Sequence, residues 1–260
     1  MCLILFSYKN TPQYKLILIS NRDEFHNRLT KPLNFWENNP DIISGIDMVG
    51  SGTWLGLNKN GRFAALTNYR DPLSIKANAP TRGDIVRNFL ESNIDPKTYL
   101  IEIQKNNPKK YNGFNLLAGD LNSMYYTSNR INNVLNIEPG LYGLSNSLLN
   151  VSWPKLEKGK KELNRVISKN SKFSNEELFN ILTDKTRPPE NELPDTGIGL
   201  EWEKMLSSIF IQNPIYGTRS SSIILIDYEN KARFIERTYD PIDYSKAATK
   251  TFCFIFKSRV

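Results

Sequence analysis

The sequence holds one histidine, His26, in 260 residues. That count excludes a metal centre built on several imidazoles, and it leaves any Ser-His-Asp triad a single residue to use. Cysteine is almost as scarce. Cys2 and Cys253 lie at opposite ends of the chain, which is not the disulfide framework of a small secreted scaffold, so both are expected as free thiols. Long apolar runs are missing too: Leu3 to Phe6 and Leu16 to Ile19 are far too short to span a bilayer, and no basic segment precedes them as in a secretory signal. The expectation is a cytoplasmic protein with no transmembrane segment, for which only transient membrane association is open. No basic block exceeds the pairs Lys109-Lys110 and Lys160-Lys161, and there is no repeat or low-complexity tract. The formal charge of +7, from 34 Lys and Arg against 27 acids, therefore points to a small anionic ligand and away from nucleic acid, since no basic-aromatic stripe accompanies it.

What is present is enough apolar sequence, 39%, for one well-buried domain over residues 1–260. "CLILFSY" and "YKLILIS", separated by "KNTPQ", read as a hairpin, and "TWLGLNK" and "RFAALTNY" as another joined through Asn60-Gly61. Helices follow. Thr81 is placed to cap "RGDIVRNFLESN", and Asp95-Pro96 starts "KTYLIEIQKNN". "FNLLAGD" and "SMYYTS" predict a hairpin around Asn122, and "GLYGLSNS" one further strand. A helix is expected from Pro154 to Ser168. Another starts at Ser174, with a capping box to Glu177 and a staple between Phe173 and Leu178. "DKTRPPENELPDTGIGLEWE" carries three prolines and two glycines and reads as a long surface loop, a candidate lid. Three strands, "SSSIILIDYE", "KARFIERTYD" and "KTFCFIFK", finish the chain. Strands first, helices in the middle and strands last predict an α+β fold with helices on a mainly antiparallel sheet or pair of sheets.

Cys2 suits the buried start of a strand, and it also has a chemical reading. With Met1 removed it carries a thiol and a free α-amine, and an amine titrating at about 7.7 to 8.0 can accept the thiol proton with no histidine. Such a nucleophile needs oxyanion donors. Several apolar strands end in them: Asn68 and Arg70 in "LTNYR", Asn146 in "LSN", Arg219 in "YGTRSSS". "LILISNRDEF" ends in a knot of charge. By strand alternation Asn21 and Asp23 share one face and Arg22 and Glu24 the other, with Asp23 expected to face the nucleophile.

Together "MCLILF", "NRDEF", "GSGTWLGLN", "ALTNYR", "TRGDIV", "NGFNLL", "YGLSNS", "WPK", "SSIFI", "YGTRSSS" and "ERTY" resemble the NRDE family, also called the Transport and Golgi organisation 2 family. The resemblance covers nearly the whole chain in order. It implies an N-terminal-nucleophile hydrolase fold, an αββα sandwich of two antiparallel sheets between helix layers. By likeness to the cysteine amidases of that fold it implies Cys2 as nucleophile, Asp23 beside the amine, Asn68 and Asn146 at the oxyanion, and Arg219 as their late arginine. One position departs. Those amidases carry an arginine three residues before the aspartate, and here that residue is Ser20. The family's links to haem trafficking and to acyl-coenzyme A or lipid handling imply an anionic ligand: an acyl amide, acyl-coenzyme A or haem. Asn21, Arg22, Glu24, Trp54, Tyr69 and Arg70 are the expected binding residues, with Tyr216 as a further apolar wall. No cofactor is required; were haem the ligand, His26, Cys2 or a tyrosine would hold it. The expected activity is hydrolysis of an amide or thioester, with non-catalytic binding and trafficking as the alternative.

Overall fold

The alternation of apolar residues in the first two strands sets the layering of the molecule, of which the computed structural model describes residues 2–169 and 172–256. Strand β1 (Cys2–Tyr8) pairs antiparallel with β2 (Tyr14–Phe25). Their even-numbered residues Ile4, Phe6, Leu16 and Leu18 join one apolar cluster and the odd-numbered Leu3, Leu5, Ile17 and Ile19 another. Both faces are therefore covered, and the strands read as continuous apolar runs instead of alternating with polar residues.

The even face meets a second sheet. Leu33, Ile43, Leu55, Leu57, Phe63, Ala65 and Leu117 from that sheet close the central core with it. The second sheet has seven strands in sequence order: β3 (Thr30–Phe35), β4 (Ile42–Asp47), β5 (Leu55–Asn58), β6 (Arg62–Asn68), β7 (Phe114–Gly119), β8 (Met124–Ser128) and β9 (Leu135–Asn136). The first has six, in the order β10-β1-β2-β11-β12-β13, where β10 is Gly140–Leu144, β11 Tyr216–Asp227, β12 Lys231–Tyr239 and β13 Ala247–Ile255. Every pairing in both sheets is antiparallel.

Helices cover the outer faces. Leu156, Leu163 and Val166 of α3 (Pro154–Ile167) and Leu178, Phe179 and Leu182 of α4 (Asn175–Leu182) lie on the odd face of β1 and β2. Helices α1 (Gly83–Glu91) and α2 (Pro96–Lys105) place Ile85, Val86, Phe89 and Leu100 against Ala64, Leu66, Leu116 and Ala118 of the other sheet. The result is an αββα sandwich, the arrangement that the resemblance implied.

Local chemistry explains most boundaries. Asp95 caps α2 by accepting from the Thr98 N–H at 3.0 Å, and Ser174 with Glu177 forms the expected capping box on α4. The β5–β6 hairpin closes with Gly61 at φ +84°, but through three residues, 59 to 61, instead of a two-residue turn. Thr81 does not cap α1. Its hydroxyl accepts from the Gly83 N–H at 3.3 Å while Arg82 occupies the N-cap without a side-chain cap bond, so the helix starts later than expected. The proline-rich stretch is not all loop, since it ends in a fifth helix, α5 (Leu200–Met205). Among the described residues no helix is long and apolar enough to cross a membrane.

Candidate active site

Because β1 and β2 are antiparallel with Cys2 opposite Arg22, these two side chains leave the sheet on the same face. That face opens into a cavity of about 430 Å³ between the sheets, lined by Cys2, Arg22, Glu24, Trp54, Asn68 and Arg82 among others. The head of β1, the end of β2, the loop between β4 and β5, the end of β6 and the start of α1 meet there.

Arg22 is 5% exposed and stacks on Trp54, its guanidinium carbon 4.3 Å from the ring centroid. Its nearest acid is Asp47, at 3.9 Å, but Arg28 already holds that carboxylate with Nε and Nη2, both at 2.8 Å, and the Val49 and Gly50 N–H groups bind its other oxygen. Arg22 Nη1 is buried with no hydrogen-bond partner. Burial pushes the Cys2 thiol up from its ordinary value, and the charges of Asp23 and Glu24 add to that while Arg22 opposes it.

The two asparagines work as a pair. Asn68 lines the cavity, and Asn146, 1% exposed, donates from Nδ2 to the Asn68 carbonyl at 2.9 Å. The Asn146 carbonyl accepts from the Arg70 N–H at 2.8 Å, and Ser145 Oγ donates to the Cys2 carbonyl at 3.4 Å. Asn146 thus holds the end of β6 beside the head of β1.

Other expected residues stand elsewhere. Asn21 spends its amide on the Leu182 and Ile209 carbonyls, at 2.8 and 2.9 Å, and accepts from Ser221, so it anchors the helix layer and has nothing left for a ligand. Arg219 sits at an irregularity of β11 and donates to the carbonyls of Phe25, His26 and Arg28, bracing the turn after β2 outside the cavity lining. His26 bonds through Nε2 to the Asn213 carbonyl at 2.8 Å. Tyr216 donates to the Asp23 carbonyl and is buried. Tyr69 and Arg70 line an adjoining space of about 280 Å³ that shares Asn68, Arg82 and Asn112 with the Cys2 cavity.

Asp23 touches the cavity, yet strand parity sets it on the helix-facing side, where its carboxylate accepts from Thr218 Oγ1 at 2.7 Å. Burial raises its pKa, while Lys155 and the Thr218 bond counteract. A buried lysine and a buried ion pair lie here, of which the sequence reading singled out only Arg70, and that as a ligand-binding residue. Lys155, from the first turn of α3, donates to the Leu206 carbonyl at 2.9 Å and is 6% exposed. Arg70 and Glu203 form an ion pair of 2.5 Å with side chains 5% and 4% exposed, and Glu203 also accepts from Thr196. "WPK" held the only hint of Lys155, as a quoted fragment with no role. Nothing in the sequence pairs Arg70 with a glutamate 133 positions away. No group of three or more His, Cys, Asp or Glu able to hold a metal occurs among the described residues.

An αββα sandwich whose first strand begins with a cysteine, beside an arginine on the neighbouring strand and opening with it into a cavity between the two sheets, defines a two-sheet protein with a thiol at the head of β1. The chain belongs to the Transport and Golgi organisation 2 family, whose sequence profile matches residues 1–241. It is 37% identical over 278 residues to the Transport and Golgi organization protein 2 homolog of Homo sapiens, covering 99% of this chain and 100% of that protein. To the Transport and Golgi organization protein 2 of Drosophila melanogaster it is 31% identical, over 94% of each. Among solved structures it is similar to a Caenorhabditis elegans N-acylethanolamine-hydrolyzing acid amidase ortholog, at 9% identity and a TM-score of 0.41, covering 86% of this chain and 92% of that one.

Proposed function

We propose that the cavity is the reactive centre of a Cys2-dependent hydrolase that cleaves the amide or thioester bond of an acyl substrate bearing negative charge. One observation carries the reading: the Cys2 thiol shares its cavity with Arg22, a buried arginine whose nearest carboxylate is taken by Arg28, and with Asn68, whose strand end Asn146 holds in place. The reaction needs a free Cys2 amine, hence removal of Met1, which lies outside the described residues. The amine takes the thiol proton, the thiolate attacks the acyl carbon, and the tetrahedral oxyanion is met by donors such as the Asn68 amide. Collapse expels the amine or thiol leaving group, which recovers the proton, and leaves an acyl thioester on Cys2. Water, deprotonated by the same amine, then releases the acid.

The test is intact-protein mass spectrometry after exposure to acyl thioesters and acyl amides. Protein lacking Met1 is expected to gain one acyl mass that Cys2→Ala does not gain, and absence of both adduct and turnover across the panel would overturn the reading. A binding-only role, as a carrier of haem or acyl-coenzyme A, is favoured by the upward push that burial gives the thiol, which keeps it protonated near neutral pH. That role requires saturable binding that survives Cys2→Ala.

A further inference from the structure

The wall of the cavity opposite β2 is made by the start of α1 and the loop before β5. Thr81, Arg82 and Gly83 line it together with Gly50 and Thr53. Two glycines bring the loop onto the helix. A Cβ on Gly52 would lie 2.4 Å from the Gly83 carbonyl carbon, and one on Gly83 would lie 3.0 Å from the Thr53 nitrogen. The Thr53 N–H donates to the Gly83 carbonyl at 3.3 Å across this contact. Any side chain at either position would wedge the helix terminus away from the cavity.

The first turn of an α-helix carries the positive end of the helix dipole; in α1 the Gly83 N–H is taken by Thr81 Oγ1 and the Ile85 N–H by the Arg82 carbonyl, so the dipole is what the terminus offers. Here the N-cap residue is Arg82, whose side chain makes no cap bond. It reaches instead to the Gly113 carbonyl, donating from Nη1 at 2.9 Å, and no acid lies within ion-pairing distance of it among the described residues. The one acid in the first turn, Asp84, pairs with Arg87. On the facing wall stands Arg22, 95% buried, with Nη1 unpartnered. Of the acids that reach the cavity, Asp47 is engaged by Arg28, Glu24 lies 3.7 Å from Arg28, and Asp23 accepts from Thr218. Three arginines, Arg22, Arg28 and Arg82, and three acids, Asp23, Glu24 and Asp47, thus line one space, and of these arginines Arg82 alone has no acid within ion-pairing distance among the described residues.

We infer that the N-terminus of α1, with Arg82 and with Arg22 across the cavity, is an oxyanion cradle that holds a phosphate or carboxylate carried by the ligand. The inference rests on the reading of this cavity as the substrate site and gives that substrate's charge a seat. An anion fixed there leaves the rest of the ligand between Cys2, Asn68 and the adjoining space walled by Tyr69, Pro72, Ile75 and Ile198. The cradle is shaped by the positive end of the helix and by guanidinium forks, which recognise phosphate and carboxylate alike, so the two sources are separated by experiment.

The experiment uses the full chain and reads the rate at which iodoacetamide alkylates Cys2, with inorganic phosphate or acetate added against chloride at equal ionic strength. Phosphate is expected to slow alkylation saturably, and the concentration for half protection is expected to rise about tenfold in Arg82→Gln, the loss of one charge-assisted bond. Arg82→Lys, which keeps the charge, should fall between. The Gly83 amide resonance should shift with the same dependence. Stronger protection by phosphate than by acetate assigns the cradle to phosphate, and the reverse to carboxylate. Equal protection of wild type and both variants, or no protection with an unmoved Gly83 resonance, overturns the cradle. If Arg82→Gln melts early, Arg82→Lys and the resonance decide. Protection that depends on Arg82 in a protein that forms no acyl adduct would leave the cradle standing and the hydrolase reading fallen; adducts without such protection would do the opposite.

Discussion

Cys2 and Arg22 are register partners on neighbouring antiparallel strands, so the thiol and the guanidinium point into the same cavity. Asp23, one residue along, belongs to the opposite face of the sheet, where it meets Thr218. A dense run of charge at the end of an apolar strand is thus divided between two layers. Arg22 and Glu24 serve the space between the sheets, while Asn21 and Asp23 fasten the helix layer and the loops over it.

The burial of Cys2 sets the pH dependence of its chemistry. Its pKa is raised, so less thiolate is present at neutral pH than for an exposed cysteine, and reactivity should keep climbing into the alkaline range. Cys253 is exposed. With one equivalent of iodoacetamide at pH 7, peptide mapping should find Cys253 modified first, and the Cys2 rate should increase through pH 9. Preferential labelling of Cys2 at pH 7 would contradict the effect of burial.

Arg219 should matter for stability and little for the cavity. Its guanidinium bridges three carbonyls of the turn after β2. Arg219→Ala is expected to cost about 1–2 kcal/mol in urea unfolding, from the loss of those bonds. The rate of Cys2 acylation or alkylation should change less than twofold. A loss of a hundredfold or more in acylation with stability intact would return Arg219 to the site.

The sequence made the strand hairpins legible because their apolar runs and turns are local: "CLILFSY", "YKLILIS" and the Ser174 capping box fall where expected, and the β5–β6 hairpin forms at Asn60-Gly61 with one more residue in its loop. Strands β3 and β4 were missed. β3 contains Pro32 and buries only Leu33, and its pairing with β4 has a register break between Lys31 and Asn34, so neither alternation nor composition marks it. At the site, parity separated Asn21 and Asp23 from Arg22 and Glu24, but Asp23 was expected to face the nucleophile and the register puts Arg22 there instead; Cys2 and Asn68, at strand ends, were readable. The contributions of Arg82, Lys155 and Glu203 were not, because each depends on contacts between elements far apart in the chain. Asn21 and Arg219 show the converse, polar residues at strand ends that look like ligands in a string and turn out to be spent on backbone carbonyls.

The Arg70–Glu203 pair joins the end of β6 to α5 and, through Thr196, to the proline-rich stretch. Removing one charge strands the other in a site that excludes water. Glu203→Gln should destabilise the protein by about 3–5 kcal/mol, and Arg70→Leu with Glu203→Leu by much less, since no lone charge remains buried. Urea unfolding of the three proteins checks this. Limited proteolysis should cut the proline-rich stretch earlier in the Arg70→Leu, Glu203→Leu variant, because Thr196 loses its acceptor. Equal costs for the single and double variants would mean that the pair itself, and not the orphaned charge, carries the energy.

Lys155 gives the stability a slope in alkaline solution. Burial lowers its pKa to about 8, with Arg70 adding to the effect and Asp23, Glu203 and Cys2 opposing it. In the unfolded chain the amine returns to about 10.4. Between those values the unfolded chain binds the proton and the folded one does not, so stability rises with pH. Below pH 8 both states are protonated and the penalty of the buried charge stands in full, on the order of 3 kcal/mol. Above the upper value both are neutral and the penalty is gone. Other groups titrate over the same range, so the measurement is a difference: urea unfolding of wild type and Lys155→Met at pH 7.5, 8.5 and 9.5. The wild type should gain stability relative to the variant at each step. Parallel curves would show that Lys155 keeps an ordinary pKa.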